Sequence, residues 1–506
     1  MIHPVAAGDV APAAAARPWS FLRLSANQET VAQQSVLLLA ASVISRLCGV
    51  LRGIVVARIL APADYGLLAT ILVAAFYVQL CDLGVGWGTV REIPLRRGRG
   101  ETSQIARLER EVFWWEVAVG TAVGVATMVY LVVTSGRLGL YTHAWMFLPV
   151  YVAGELLRNT QQCFLQAREE FTLLRRSMIW QAVLDLALSV ALTERFGLVG
   201  ATASLALTTV TMAAYLVFSS RAEQIWKFAR MRAATFRMLT VVGFPLMVQN
   251  LMWANMTNVD KLVILARLNT EALAYYAMAQ TIAASLLLVS GATARVSGPI
   301  MIRRFGETGD ATSLYSMLFK TLIVLTYGLP VLVAGIWLTA PLFFANVLPK
   351  YIPSVQVLDV SIISFYAMAV TMGASSLYVA LERQVLNGML LLGGMVLTVV
   401  LGLILINMDK GTSGVAVASA VSSCMYLVAF VACGFNMVGR TGRALARDIA
   451  IVLLPLALCV CSLVGLQAAA HSAIPRLWLT LFLEGGALAL ALWGMKTFMH
   501  ASDRLA

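Results

Sequence analysis

The sequence predicts an all-α integral membrane protein with about 14 transmembrane helices, and three observations support this fold class. The 506 residues are 60% hydrophobic and only 12% charged, whereas a soluble protein carries about 25% charged residues. Apolar runs of roughly 20 residues recur from Val31 to Met499 between short charged segments, as in spanning helices. Runs such as residues 36–44 do not alternate apolar with polar side chains, so a membrane β-barrel is disfavoured.

The apolar runs give the position of each predicted span. Backbone polar groups find no water in hydrocarbon, so each run should form a helix. The first six predicted spans are 33–60, 65–90, 112–134, 145–166, 177–195 and 197–219. The next six are 239–266, 272–300, 316–340, 353–380, 385–407 and 413–436, and the last two are 449–467 and 477–498.

Basic residues predict the orientation of the bundle. With both tails counted on one side, roughly 23 Lys and Arg residues lie there and about 6 on the other side, and the richer side should be cytoplasmic. An even number of spans then puts both termini in the cytoplasm, and residues 1–30 form a cytoplasmic tail. The net charge of +12 is expected to reflect these loops and not nucleic-acid binding. No C-x-x-C pair and no H-E-x-x-H motif occurs, so no metal site is predicted.

An internal repeat relates the first and seventh spans. Residues 52–59 (RGIVVARI) align without a gap on residues 261–268 (KLVILARL), so that Arg52 corresponds to Lys261. Both segments start from the cytoplasmic side, and two halves related in this way usually enclose a binding site. The repeat predicts two pseudo-symmetric six-helix lobes around a central cavity, plus two C-terminal helices. The predicted boundaries are 31–238 for the N-lobe, 239–436 for the C-lobe, and 437–506 for spans 13 and 14 with a short cytoplasmic C-terminus.

The motifs around this repeat resemble a known family. They are Ser45–Leu60, Asp64-Tyr-Gly66, Asp82-Leu-Gly84, Asn258-Val-Asp-Lys261 and Tyr275-Tyr-Ala-Met-Ala279. They resemble Wzx-type polysaccharide flippases of the multidrug/oligosaccharidyl-lipid/polysaccharide exporter superfamily. The resemblance implies a V-shaped cavity, alternating access and an undecaprenyl-pyrophosphate-linked oligosaccharide as substrate. It also implies that the protein lies in the bacterial cytoplasmic (inner) membrane and needs no cofactor. The implied partners are membrane lipid, a polysaccharide polymerase and chain-length machinery.

Four basic residues inside the predicted spans are candidates for binding the substrate. A charge in hydrocarbon costs at least roughly 2.5–3.5 kcal/mol, so such residues are expected to be functional. Arg46 and Arg52 lie in the first span, and the lipid II flippase branch, which this stretch also resembles, has cavity-facing arginines at both positions. The planar fork of arginine binds phosphate oxygens in pairs, and Lys261 mirrors Arg52. Arg295 in span 8 could meet the headgroup on entry or could belong to the cytoplasmic basic cluster.

Three aspartates are candidate charge partners in the cavity. Asp82 and Asp185 lie on separate spans, and either could accept a hydrogen bond from Arg46. A purely structural ion pair of this kind is the alternative to a substrate-binding role for Arg46. Asp260 adjoins Lys261, but adjacent helical residues point about 100° apart, so Asp260 is expected to neutralise a basic partner in the other lobe.

Three functions were weighed. The favoured function is a flippase that moves lipid-linked oligosaccharide from the inner to the outer leaflet, for exopolysaccharide, capsule or O-antigen synthesis. The sequence contains no G-x-x-x-x-G-K-[ST] motif, so ATP hydrolysis by this chain is not predicted. A polysaccharide polymerase or ligase would need an active site on a large outer loop, and the longest predicted outer connection has about 13 residues, so an enzyme is not predicted. A multidrug exporter with cationic cargo calls for carboxylates in the first span, which instead carries two arginines. The Gly84–Gly88 stretch is expected to close a membrane helix and not to bind nucleotide.

Overall fold

The chain is helical throughout the part that the computed structural model describes, and no β-strand occurs in that part. The described residues are 26–98, 101–138, 142–168, 170–219 and 227–468. Each of the first thirteen predicted spans coincides with one helix, with two consecutive helices, or with part of a longer helix. The all-α membrane fold is therefore confirmed. The fourteenth span and residues 1–25 of the predicted tail lie outside the described residues.

The N-lobe contains α1 to α7. The described elements are α1 (Ala26–Ile59), α2 (Pro62–Val78), a 3₁₀ turn (Gln79–Asp82), α3 (Val85–Gly98), α4 (Thr102–Leu138), α5 (Thr142–Trp145), α6 (Leu148–Ala167) and α7 (Phe171–Ser219). Proline begins α2, where a helix needs no backbone N–H donor.

The second predicted span is broken in its middle. The 3₁₀ turn follows α2, and both Leu83 (φ 56°) and Gly84 (φ 79°) adopt the left-handed conformation before α3 begins. The Gly84–Gly88 stretch therefore opens α3 and does not close a helix, which corrects the expectation from the sequence. A broken helix inside a membrane protein usually lines a cavity, because its free backbone groups need polar surroundings.

The fifth and sixth predicted spans form a hairpin within α7. Gly197 has φ 57° and ψ −134°, which interrupts the helix after Phe196. A Cβ added to Gly200 would lie 1.9 Å from the carbonyl oxygen of Leu192, so the chain folds back tightly here. Glycine is required at Gly197 because its positive φ is strained for other residues.

The C-lobe contains α8 to α16, and α17 follows it. The described elements are α8 (Ala233–Met256), α9 (Val259–Arg267), α10 (Thr270–Ala283), α11 (Leu286–Thr308), a 3₁₀ turn (Ala311–Leu314), α12 (Tyr315–Val347), a 3₁₀ turn (Pro349–Tyr351), α13 (Ser354–Ala374), α14 (Ser376–Ala380), α15 (Gln384–Asn407), α16 (Gly411–Met437) and α17 (Gly442–Ala468). Asn269 caps α10 by accepting a hydrogen bond from the backbone N–H of Ala272.

Eight helices of the described residues are long and apolar enough to cross a membrane. This number is smaller than the number of predicted spans for two reasons. The helix α7 contains two predicted spans, and other predicted spans are divided between shorter helices, such as α2 with α3 or α8 with α9. The most buried spanning stretch is Ser354–Ala380 in the C-lobe. There the Ser364 hydroxyl lies 2.7 Å from the Ser423 hydroxyl of α16, which satisfies both polar groups in the core.

Two pairs of helices form most of the contact between the two lobes. α2 packs on α10, where a Cβ added to Gly66 would lie 1.7 Å from the carbonyl oxygen of Thr270. α3 packs on α8, where a Cβ added to Gly243 would lie 1.9 Å from the carbonyl oxygen of Gly84. Backbones come this close only where a side chain is missing, so these glycines fix the contact between the lobes.

The helices at the lobe contact follow the internal repeat. Arg58 and Arg267 are both exposed in the last turn of their helices, α1 and α9. Each helix is followed by a short turn and by a helix that is interrupted before it completes its span, α2 in the N-lobe and α10 in the C-lobe. The architecture of two pseudo-symmetric lobes agrees with the repeat.

Candidate functional site

A cavity of about 200 Å³ lies between the lobes, and both basic residues of the repeat line it. α1 and α2 form one wall, and α9 and α10 form the other. We call it the basic cavity, because Arg52 and Lys261 supply the charged groups of its lining. The lining also includes Phe76 and Asn258. The structure thus brings together the two residues that the repeat relates.

Arg52 is held by the N-lobe while it faces the basic cavity. Its Nε donates a hydrogen bond of 2.8 Å to the Ser189 hydroxyl and lies 3.4 Å from Asp185 Oδ2. Both partners belong to α7, so Asp185 pairs with Arg52 and not with Arg46. An arginine carries five N–H donors, and the four on the Nη atoms of Arg52 donate to none of the described residues. These donors remain for a ligand.

Lys261 presents its charge with a neutral partner. Its Nζ donates a hydrogen bond of 2.8 Å to the Asn258 side-chain oxygen. The ammonium group has three donors, and the other two have no partner among the described residues. No carboxylate of the described chain forms a salt bridge with it. An anion in the basic cavity would therefore meet an ammonium group that has two donors left for it.

Asp260 does not reach the other lobe. It is fully buried and accepts hydrogen bonds of 2.6 Å from the Tyr276 hydroxyl and 2.6 Å from Gln280 Nε2. The backbone N–H of Lys261 also donates to it, at 2.8 Å. All three donors belong to the C-lobe, so the expectation of a basic partner across the cavity was wrong. In the first turn of α9 this side chain points back into its own lobe and positions the helix that carries Lys261.

Arg46 does not line the basic cavity. Arg46 is exposed and forms no ion pair within the described residues, so neither candidate aspartate neutralises it. It precedes Gly53, which lines the basic cavity, by seven residues, or about two helical turns, and therefore shares that face of α1. Arg295 lies in α11, and its side chain falls outside the described part of the chain.

Asp82 faces a carboxylate and not an arginine. A Cβ added to Gly86 would lie 3.6 Å from Asp82 Oδ2, 3.7 Å from Glu116 Oε1 and 3.2 Å from the Thr160 hydroxyl, so these groups converge on one point. Glu116 is 1% exposed, and neither of its carboxylate oxygens has a partner in the described chain. The sequence analysis does not include Glu116 among the candidates, although a carboxylate inside the apolar run 112–134 is a visible signal.

A second cavity, of about 280 Å³, lies between the lobes on the other side of Phe76, which lines both cavities. We call it the aromatic cavity. Its lining combines aromatic and polar side chains of α2, α3, α6 and α8. The residues used below are Phe76, Asp82, Trp87, Asn159, Asn250 and Trp253. The sequence did not reveal this group, because the residues have no common spacing and meet only when α3 packs against both α6 and α8.

The fold is shared with membrane transporters of known structure. Similar structures include the lipid II flippase MurJ in an inward closed conformation (TM-score 0.68, 12% identity, 92% of this chain and 100% of that chain). They also include an inward-facing multidrug resistance MATE family transporter of the MOP superfamily (0.60, 16%, 82% and 99%). A third is a MOP superfamily transporter from Pyrococcus furiosus (0.58, 14%, 82% and 97%). A comparison with curated protein sequences found no match.

Two lobes with cavities at their contact make this a multi-pass membrane protein whose fold is similar to that of these solved transporters. Its family follows from the sequence. The family model described as polysaccharide biosynthesis protein matches residues 31–305, so the chain belongs to that family. The resemblance to polysaccharide flippases found in residues 42–92 and 255–300 is confirmed.

Proposed function

We propose that this protein is a flippase that moves undecaprenyl-pyrophosphate-linked oligosaccharide repeat units from the inner to the outer leaflet of the bacterial cytoplasmic membrane. Its product would serve exopolysaccharide, capsule or O-antigen synthesis, with a polysaccharide polymerase and chain-length machinery as partners. Both termini would face the cytoplasm. The proposal rests chiefly on one observation: Arg52 and Lys261, one from each lobe, line the same cavity with unused donors.

The chemistry of these donors suits a pyrophosphate. The Nη atoms of Arg52 can form paired hydrogen bonds with phosphate oxygens, and Lys261 adds a point charge from the opposite wall. Hydrogen bonds to charged groups contribute about 1.5–3 kcal/mol each. A dianion held from both lobes would also offset the repulsion between the two cations. Binding would therefore favour the arrangement in which the lobes are close around the headgroup.

Transport of the headgroup by alternating access follows from this arrangement. The lobe contacts at Gly66 and Gly243 lie in different helix pairs, and opening one pair while the other stays packed would expose the cavities to one side at a time. Outward movement of an anion gains about 2.3 kcal/mol per charge per 100 mV of inside-negative potential. A pyrophosphate with about two charges would gain roughly 4–5 kcal/mol per 100 mV, enough to give direction without ATP.

The test is transport by the full-length protein in proteoliposomes, with a short-chain prenyl-pyrophosphate oligosaccharide as probe. Lys261→Ala should lower the initial rate at least tenfold, because one charge-assisted contact is lost, and Lys261→Arg should restore most of it. Arg267→Ala is the matched control, since Arg267 lies on the same helix but is exposed at its end. Equal rates for Lys261→Ala and the wild type would contradict the proposal.

A further inference from the structure

The aromatic cavity has the composition of a sugar site. Trp87 and Trp253 come from different lobes, and both are partly buried while they line the cavity. The side chain of Asn159 lines the same cavity as these two indole rings. A pyranose ring presents apolar C–H faces and a rim of hydroxyls. Indole rings can cover such a face, and a side-chain amide can both donate to and accept from the rim.

A position between the lobes distinguishes these tryptophans from ordinary membrane anchors. Tryptophans at the edges of spanning helices usually face lipid headgroups, and Trp180, which is 60% exposed on α7, is an example of an outward-facing ring. Trp87 and Trp253 instead face each other's lobe across a space of about 280 Å³. That volume is close to the lower limit of small-molecule sites, about 300 Å³. It has room for a small ring and not for a long glycan.

The charge of the aromatic cavity selects among sugars. The charged group in its lining is Asp82, and no Lys or Arg of the described chain lines it. Glu116, next to Asp82, adds a second carboxyl group behind the wall. A sugar acid such as a hexuronic acid would be repelled here, whereas neutral hydroxyls can donate to the Asp82 carboxylate. The basic cavity has the opposite charge and begins on the other side of Phe76.

We propose that the aromatic cavity binds the uncharged sugar nearest to the pyrophosphate, while the basic cavity binds the pyrophosphate itself. This inference rests on the proposed function and adds the class of the first sugar: a neutral pyranose, stacked on Trp87 or Trp253. The two adjoining cavities then form one headgroup site, which binds both the pyrophosphate and the first sugar of the substrate.

The test compares the affinities of full-length protein in nanodiscs for three probes. The probes are a prenyl pyrophosphate without sugar, the same lipid with one neutral hexose, and the same lipid with one hexuronic acid. For the wild type, the hexose should improve affinity about tenfold, or about 1.4 kcal/mol, and the hexuronic acid should not. Trp87→Leu and Trp253→Leu should each reduce the gain from the hexose severalfold while the affinity for the bare prenyl pyrophosphate stays unchanged.

Controls separate a sugar contact from a loss of structure. Trp180→Leu removes an indole that lies elsewhere in the membrane and should keep the whole gain. Trp87→Phe keeps an aromatic face and should keep most of the gain even if Trp87→Leu fails to fold. Asp82→Asn should let the hexuronic acid bind more tightly than in the wild type. An unchanged gain in both leucine variants, or equal wild-type affinities for hexose and hexuronic acid, would overturn the inference.

The same data distinguish this inference from the proposed function. If prenyl pyrophosphate binds and Lys261→Ala weakens all three probes equally, the proposed function stands whatever the sugar does. If the hexose then adds nothing to the wild-type affinity, only the sugar site is wrong. If no probe binds to the wild type, the proposed function and the sugar site both fail.

Discussion

The two interlobe cavities differ in how their chemistry arises. The basic cavity takes its charges from equivalent positions of an internal repeat, Arg52 and Lys261. The aromatic cavity is formed by helices that the repeat does not relate, α3 and α6 of one lobe with α8 of the other. Duplication therefore accounts for the pair of basic residues in the basic cavity. It does not account for the aromatic and polar side chains of the cavity beside it. Specificity for a particular sugar would be expected in the asymmetric part.

The largest effect is expected where the lobes touch beside each cavity. Gly66→Val would place side-chain atoms on the Thr270 carbonyl, and Gly243→Val would do the same at Gly84. Overpacking typically costs about 1–3 kcal/mol, and a clash with backbone should lie at the upper end of this range. Both variants should lower the apparent Tm by several degrees. Gly49→Val is the control, because no atom lies within 4 Å of its added Cβ.

Measurements of probe binding should distinguish the effects of these two contacts further. Gly66→Val opens the α2–α10 contact beside the basic cavity, so it should weaken binding of the bare prenyl pyrophosphate severalfold. Gly243→Val opens the α3–α8 contact and should mainly reduce the gain from the sugar. If the two variants weaken both probes equally, the cavities do not act as separate parts of one site.

A smaller effect is expected from the ion pair of the basic cavity. Arg52→Ala leaves Asp185 half-buried without its cation, which should cost about 1–2 kcal/mol, less than for a fully buried pair because both side chains are partly open. The double variant Arg52→Ala with Asp185→Ala should recover the Tm. It should not recover transport if Arg52 contacts the substrate. Recovery of transport in the double variant would show that Arg52 serves only the structure.

The smallest effect is expected at the carboxyl pair beside the aromatic cavity. Glu116→Gln replaces one of two neighbouring carboxyl groups with an amide that can donate to Asp82. The free energy of unfolding at neutral pH should stay within about 1 kcal/mol of the wild-type value, so the Tm should change little or rise slightly. Asp185→Asn, which removes a carboxylate with a cationic partner, is the contrasting control and should lower the Tm. A large loss in Glu116→Gln would mean that this carboxylate has a cationic partner.

Local patterns predicted much of the fold and part of the site. Apolar runs located the helices, and the i,i+3 spacing of Glu155 and Arg158 allows the ion pair in which Arg158 Nε donates a hydrogen bond of 2.9 Å to Glu155. The break before α3 was missed because Leu83 adopts a positive φ that its side chain disfavours. Directly after Leu83, Gly84 packs against the Gly243 backbone of α8, a tertiary contact that no local pattern reveals. The partners of Asp82 and Asp260 were missed for the same reason, since they depend on which helices meet.

The central claim is that Arg52 and Lys261 close on one pyrophosphate from opposite lobes. The most direct test is cross-linking of Ala69→Cys with Ala277→Cys by a short bifunctional thiol reagent, after removal of the native cysteines, because these two small residues line the basic cavity from opposite lobes and are not proposed ligands. We expect rapid cross-linking in the full-length protein and protection by prenyl pyrophosphate, but no protection by a neutral prenyl alcohol and none once Lys261→Ala is added. Absence of the cross-link, or equal protection by both lipids, would contradict the claim.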